Sequence, residues 1–196
     1  MNVLEQAFSL FCHQNPLRSF VIDGQVLPFC ERCAGVYLGV GISAICLLLS
    51  RRYGRTMPAR GIIWLSALSM ALMPVFGFHL LDPGSAWRFW SGLLFGNGLA
   101  LLMVPAARLL ISGRPPGMPD RRSQWIRFAA LFAFLNTMPL WFPLQSDVFY
   151  YGVLILAFIG LLCIVICPAA VALAVLRSHF LRLLSKGATH EQSPIP

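Results

Sequence analysis

Ala34 to Ser50 reads AGVYLGVGISAICLLLS, a run of seventeen residues with no charge, entered directly from Cys30-Glu31-Arg32-Cys33. A helix needs about 20 predominantly apolar residues to cross roughly 30 Å of hydrocarbon. This run is the first of five stretches that approach that length. The others are Gly61 to Leu81, Trp87 to Leu110, Arg127 to Pro143 and Phe149 to Leu176. Asn136 and Pro139 interrupt the fourth, which predicts a kinked or re-entrant path. Pro168 predicts a kink in the fifth, because proline lacks the N–H and clashes with the preceding turn. Trp64, Trp87, Trp90, Trp125, Trp141, Tyr150 and Tyr151 fall mostly near span ends, where aromatic belts form.

Composition agrees. Of 196 residues, 58% are hydrophobic and only 11% charged, too little charge to coat a water-soluble domain of this size. Mean hydropathy is +0.73. The net charge of +8 raises the question of nucleic acid, but the arginines sit in short loops between apolar runs and form no aromatic-interleaved patch. Topology accounts for them instead. Counted on alternate loops, one side holds Arg51, Arg52, Arg55, Arg60, Arg108, Arg114, Arg121, Arg122, Arg127, Arg177, Arg182 and Lys186; the other holds only Arg18, Arg32 and Arg88. By the positive-inside rule the C-terminus is cytoplasmic and the N-terminal motif faces outward. With Lys186 the single lysine, the arginine bias hints at a G+C-rich bacterial genome and hence a bacterial cytoplasmic (inner) membrane.

The expected fold is therefore an all-α membrane protein of about five transmembrane helices, preceded by an interfacial helix and a short β-hairpin-like Cys/His motif. Residues 1–33 form the extracytoplasmic segment, 34–176 the membrane domain and 177–196 a cytoplasmic tail expected to be disordered at its end. The first residues do not read as a signal peptide, having no basic start and no small-residue cleavage pattern. Leu4, Phe8 and Phe11 fall at helical spacing, which predicts a helix over 3–11 lying with that face in the membrane interface.

Chemistry concentrates just ahead of the first span. Cys12-His13 is followed by Phe20-Val21-Ile22, Asp23-Gly24 and Gln25-Val26-Leu27, two β-prone triplets around a pair suited to a two-residue hairpin turn. Closing that hairpin opposes Phe20 to Leu27, sets Arg18 near Phe29, and returns Cys12 and His13 toward Cys30 and Cys33. Three thiols and an imidazole are the donors of a closed tetrahedral zinc site. Adjacent ligands at 12 and 13 are less usual than spaced ones. A rival reading is thiol–disulfide exchange through Cys30 and Cys33, since the helix N-terminus and Arg32 favour a thiolate there. Such enzymes usually pair this motif with a second cysteine couple, and this face offers only Cys12. A third reading is a membrane assembly subunit without chemistry, in which Cys12 packs against lipid, His13 is a surface residue and Cys30–Cys33 is an idle disulfide.

Arg18 and Arg32 would orient the ligands or contact lipid phosphate. His79, Asp82 and Arg88, at the outer ends of the second and third spans, are further candidates, because ionisable groups at membrane depth are costly; at a boundary they also snorkel. Cys46, Cys163 and Cys167 read as small apolar packing residues, and Asn97 and Asn136 as interhelical hydrogen-bonding groups. Gly35, Gly39 and Gly41 in the first span and Gly92, Gly96 and Gly98 in the third predict close packing of those two helices.

Cys12-His13-Gln14, Arg18-Ser19-Phe20, Leu27-Pro28, Cys30-x-Arg32-Cys33 and Gly35-x-Tyr37-x-Gly39 together resemble an uncharacterised prokaryotic family of small integral membrane proteins, catalogued as a domain of unknown function. The resemblance continues through Pro74, Gly77 and Arg88 to Gly96, covering roughly residues 10–105. It departs where the family carries an acid before the position of Gly77; Phe76 stands there, with Asp82 the nearest substitute. The resemblance implies a membrane protein with one N-terminal motif. It implies no activity, substrate or cofactor, and the sequence names no protein partner beyond the lipid bilayer itself.

Overall fold

A computed structural model describes residues 3–49, 57–77, 84–112, 121–137 and 146–190, with side chains described for 6–49, 57–75, 84–112, 121–137 and 146–180. The loops bearing Arg51, Arg52, Arg55 and Arg114, the segment with Pro139 and Trp141, and both His79 and Asp82 lie outside the described residues.

The chain runs α1 (Val3–Ser9), a 3-10 turn (Pro16–Arg18), β1 (Ser19–Ile22), β2 (Gln25–Cys30), α2 (Glu31–Leu49), α3 (Arg60–Gly77), α4 (Ser85–Ser112), α5 (Arg121–Thr137) and α6 (Asp147–His190). Among the described residues, α2, α4 and Asp147–Phe180 of α6 are long and apolar enough to cross a membrane, and Arg60–Val75 is a shorter apolar helix. Helix α5 carries Arg121, Arg122 and Arg127 and is the least apolar of the five. Pro74, Pro105 and Pro168 all lie inside helices without ending them. Helix α6 continues into the tail as far as His190; the end of the tail, where disorder is expected, lies outside the described residues. Leu, Arg, Lys and Ala dominate residues 181–190 and favour helix, and the first helix-breaking proline after Pro168 is Pro194.

Contacts at the helix ends show that the five helices alternate in direction. The starts of α2 and α4 meet where Ser85 Oγ donates to Glu31 Oε1 at 2.6 Å. The start of α6 reaches the same end, where Gln25 Nε2 donates to Asp147 Oδ1 at 3.2 Å. At the opposite end Arg108 of α4 donates to the last carbonyls of α2, Leu47 O and Leu48 O, both at 3.3 Å. There too the buried Gln124 near the start of α5 accepts from Ala59 N at 2.8 Å and donates to Met57 O at 3.3 Å, holding the entry to α3.

Glycine sets the closeness of α2 and its neighbours. A Cβ at Gly35 or Gly39 would strike the backbone of α4 at Phe89 or Leu93, and one at Gly92 or Gly96 would strike α2 at Arg32 or Val36. The predicted pairing of the first and third spans is thus present through these four residues. The remaining two glycines face elsewhere: Gly41 meets Leu156 and Gly160 of α6, and Gly98 meets Ser66 and Ser69 of α3. Within the α2–α4 seam the buried Ser43 donates to Asn97 Oδ1 at 2.9 Å, the interhelical role expected of Asn97. Asn136 bonds within its own helix, donating to Phe132 O at 2.6 Å.

The N-terminal segment is part of the core. Phe8 is buried with its ring 4.8 Å from Phe29 and 5.4 Å from Tyr37, and Phe29 stands edge-on to Tyr37 at 5.7 Å. This corrects the expected orientation of α1. Phe8 turns onto the hairpin and α2 because aromatic partners there bury it completely, and Leu10 and Phe11 are left exposed.

Candidate metal centre

The hairpin forms where the sequence places it. Asp23 and Gly24 both take positive φ, 50° and 73°, the conformation of the two-residue turn that matches strand twist. Val21 pairs with Val26 and Ile22 with Gln25, and the alternation of strand side chains turns Ile22, Leu27 and Phe29 inward. Between Ser19 and Val21 the register shifts, so Ser19 pairs with Cys30 instead of Pro28. A bulge of this kind re-aims a strand end. Here it brings Arg18 to a cleft it shares with Cys30, Glu31, Arg32 and Arg88.

Cys12 arrives from the other side. Its N–H donates to Phe8 O at 2.9 Å as α1 ends. Asn15 then caps the 3-10 turn, accepting from Leu17 N at 3.0 Å. Between them Gln14 holds φ 47°, a left-handed conformation uncommon outside glycine. That twist lets the Gln14 side chain donate to Pro28 O at 3.0 Å while its N–H points at Cys12 Sγ, 3.5 Å away. The Cys30 N–H also donates to Cys12 Sγ, at 3.3 Å.

The result is a cluster in which the sulfurs of Cys12, Cys30 and Cys33 all lie within 4.8 Å of one another. All six cysteines of the chain are free thiols. Cys12 is buried, and the other two are partly so. Hydrogen bonds from the Cys30 and Cys33 side chains, joined by the backbone N–H groups of Cys30 and Gln14, hold the Cys12 thiol far below its ordinary pKa against the opposing effect of burial. Tyr37 lies one turn beyond Cys33 on α2, next to the cluster.

The donors fit a thiophilic ion. Three sulfurs about 2.3 Å from a tetrahedral zinc stand about 3.8 Å apart, so each pair needs to close by about 1 Å at most. Soft thiolates suit zinc and copper(I) better than oxygen-seeking cations. His13 is exposed and its ring is not part of the cluster. Its neighbour Cys12 takes the inward position, and adjacent side chains diverge.

Of the other residues singled out, Arg18, Arg32 and Arg88 converge on the cleft beside Cys30. Two contributors escaped sequence reasoning. Glu31 is only 8% exposed, with Ser85 donating to one oxygen and Arg88 ion-paired to the other at 3.2 Å. An acid in the first turn of an apolar span was the signal, since such a group requires a partner. Tyr37 had none beyond its place in the Gly35-x-Tyr37-x-Gly39 pattern.

Comparison with known proteins places this unit in context. A family model described as "Predicted membrane protein (DUF2085)" matches residues 12–102, from Cys12 through most of α4. An uncharacterised protein of the archaeon Methanothermobacter thermautotrophicus is 32% identical over 111 residues, 53% of this chain and 94% of that protein. Another, from Methanocaldococcus jannaschii, is 48% identical over 107 residues, 52% of this chain and 67% of that protein. No solved structure matches.

Proposed function

The chain belongs to the DUF2085 family of predicted membrane proteins, and we propose that its N-terminal unit is a thiolate metal site, for zinc, held by Cys12, Cys30 and Cys33 at one end of a helical membrane domain. The observation that supports this is the convergence of three sulfurs from the segment after α1, the end of β2 and the first turn of α2, with two backbone N–H groups directed at one of them. Backbone donors to sulfur stabilise the ionised form that a metal requires. These three residues would hold the ion and would leave one position for a further donor, as in zinc centres that bind or activate a ligand. The same proximity serves the rival reading, thiol–disulfide exchange through Cys30 and Cys33.

Sidedness is part of the proposal. The count of twelve basic residues assigned to one membrane face against three to the other favours a metal unit outside a bacterial cytoplasmic membrane and a C-terminus inside. Labelling of metal-stripped Cys12 by an impermeant maleimide on intact cells tests it; protection that persists until lysis refutes it.

The metal reading is tested on the full chain in detergent, by elemental mass spectrometry with free-thiol counts before and after chelation. About one zinc per chain, lost in Cys33→Ser, supports it. No metal together with a reducible Cys30–Cys33 bond overturns it in favour of redox exchange. His13→Ala tests the four-ligand set expected from sequence: unchanged zinc content assigns the fourth position to a donor other than His13.

A further inference from the structure

Beside the thiol cluster, and sharing Cys30 as its wall, lies a cleft of about 50 Å³ lined by Arg18, Cys30, Glu31, Arg32 and Arg88. We propose that this cleft binds a phosphate-type oxyanion, either free phosphate or the phosphate of a lipid headgroup. The inference does not rest on a metal being bound.

Charge carries it first. Three arginines and a single glutamate line the cleft, a formal excess of two positive charges among its residues. The carboxylate is already committed: Glu31 accepts from Ser85 Oγ at 2.6 Å and is paired with Arg88 at 3.2 Å. Size carries it second. A single water needs only about 10–15 Å³, so the cleft has room for a group larger than one water. Residue type is the third support. Arginine presents a planar fork of donors that matches phosphate geometry and is less strongly hydrated than lysine; all three cations here are arginine, drawn from three different elements. The register shift at Ser19 is the feature that delivers Arg18 to the group.

The test uses the full chain in detergent, with Arg18→Gln and Arg32→Gln variants. Melting is followed with inorganic phosphate and, as an ionic-strength control, with chloride. Lipid retained through purification is identified by native mass spectrometry. A phosphate-specific rise in melting temperature, with apparent affinity at least fivefold weaker in Arg18→Gln, supports a soluble anion. No phosphate response, but bound phospholipid that Arg18→Gln loses, supports a headgroup. Arg18 is exposed, so its variant is expected to fold even if Arg32→Gln does not. Phosphate and lipid responses that are absent, or equal in wild type and Arg18→Gln, overturn the proposal.

Discussion

Replacing Gly39 by alanine should destabilise the membrane bundle, while the same change at Gly152 should not. At Gly39 the added Cβ would stand 2.5 Å from Leu93 O and 3.1 Å from Asn97 N, where ordinary contact begins near 3.4 Å. Both neighbours are backbone atoms, so no side chain can swing away, and α2 and α4 must part by about 0.9 Å. Overpacking of this kind costs about 1–3 kcal/mol; the better helix propensity of alanine returns about 1 kcal/mol, leaving a net loss of up to about 2 kcal/mol. At Gly152, in the first turns of α6, a Cβ meets nothing within 4 Å, so only the propensity gain of up to about 1 kcal/mol remains. The two variants should therefore move in opposite directions in reversible unfolding by denaturing detergent, followed by tryptophan fluorescence. Since Gly35 and Gly92 continue the seam toward Glu31 and Arg88, Gly39→Ala should also loosen that ion pair. A Gly39→Ala protein as stable as wild type, or two variants shifting alike, would refute backbone contact between α2 and α4.

Arg108→Ala should cost about 1–2 kcal/mol in the same assay and speed amide exchange at the end of α2, because it removes the charged donor from the Leu47 and Leu48 carbonyls. Glu31→Gln keeps a partner for Ser85 but leaves the Arg88 charge without its carboxylate. For a partly buried pair, between the exposed and fully buried limits, a loss of about 1–3 kcal/mol is expected by thermal melting. In metal-free protein the depressed pKa of Cys12 has a definite sign. Its contribution to stability is complete above the unfolded thiol pKa of about 8.5 and is lost as pH falls toward the folded value. Alkylation of Cys12 followed by mass spectrometry should accordingly change little between pH 6 and 8 in the folded protein, whereas in the unfolded chain it should rise with pH; parallel profiles would contradict the hydrogen-bonded thiolate.

Local features were legible in the sequence because local rules govern them. Asp23-Gly24 made the turn it encodes, the apolar runs became helices, and the small-residue spacing of Gly35, Gly39, Gly92 and Gly96 announced their seam. Cys12, Cys30 and Cys33 meet as the hairpin geometry predicted. What failed depended on competition between partners. Helical spacing marked Phe8 as apolar but could not say whether lipid or Phe29 would take it, and the rings of Phe29 and Tyr37 won. The register shift at Ser19 leaves no trace in strand propensity, so the place of Arg18 beside Glu31 was invisible. His13 sits next to a true cluster member, and composition alone cannot tell which neighbour points inward.

The two parts of this end of the molecule close loops of very different length. Cys12 meets Cys30 across 18 residues, whereas Glu31 meets Arg88 across 57. Loop-closure entropy makes the second about 1 kcal/mol harder to form, and it also requires α3 and α4 to exist. As the chain emerges from the ribosome, the thiols have all their residues in place once α2 begins, while the arginine cleft is completed only when α4 docks along its glycines. The spacing thus constrains the order of assembly: the cluster can close before α4 is made, and the cleft cannot be complete until α4 has docked.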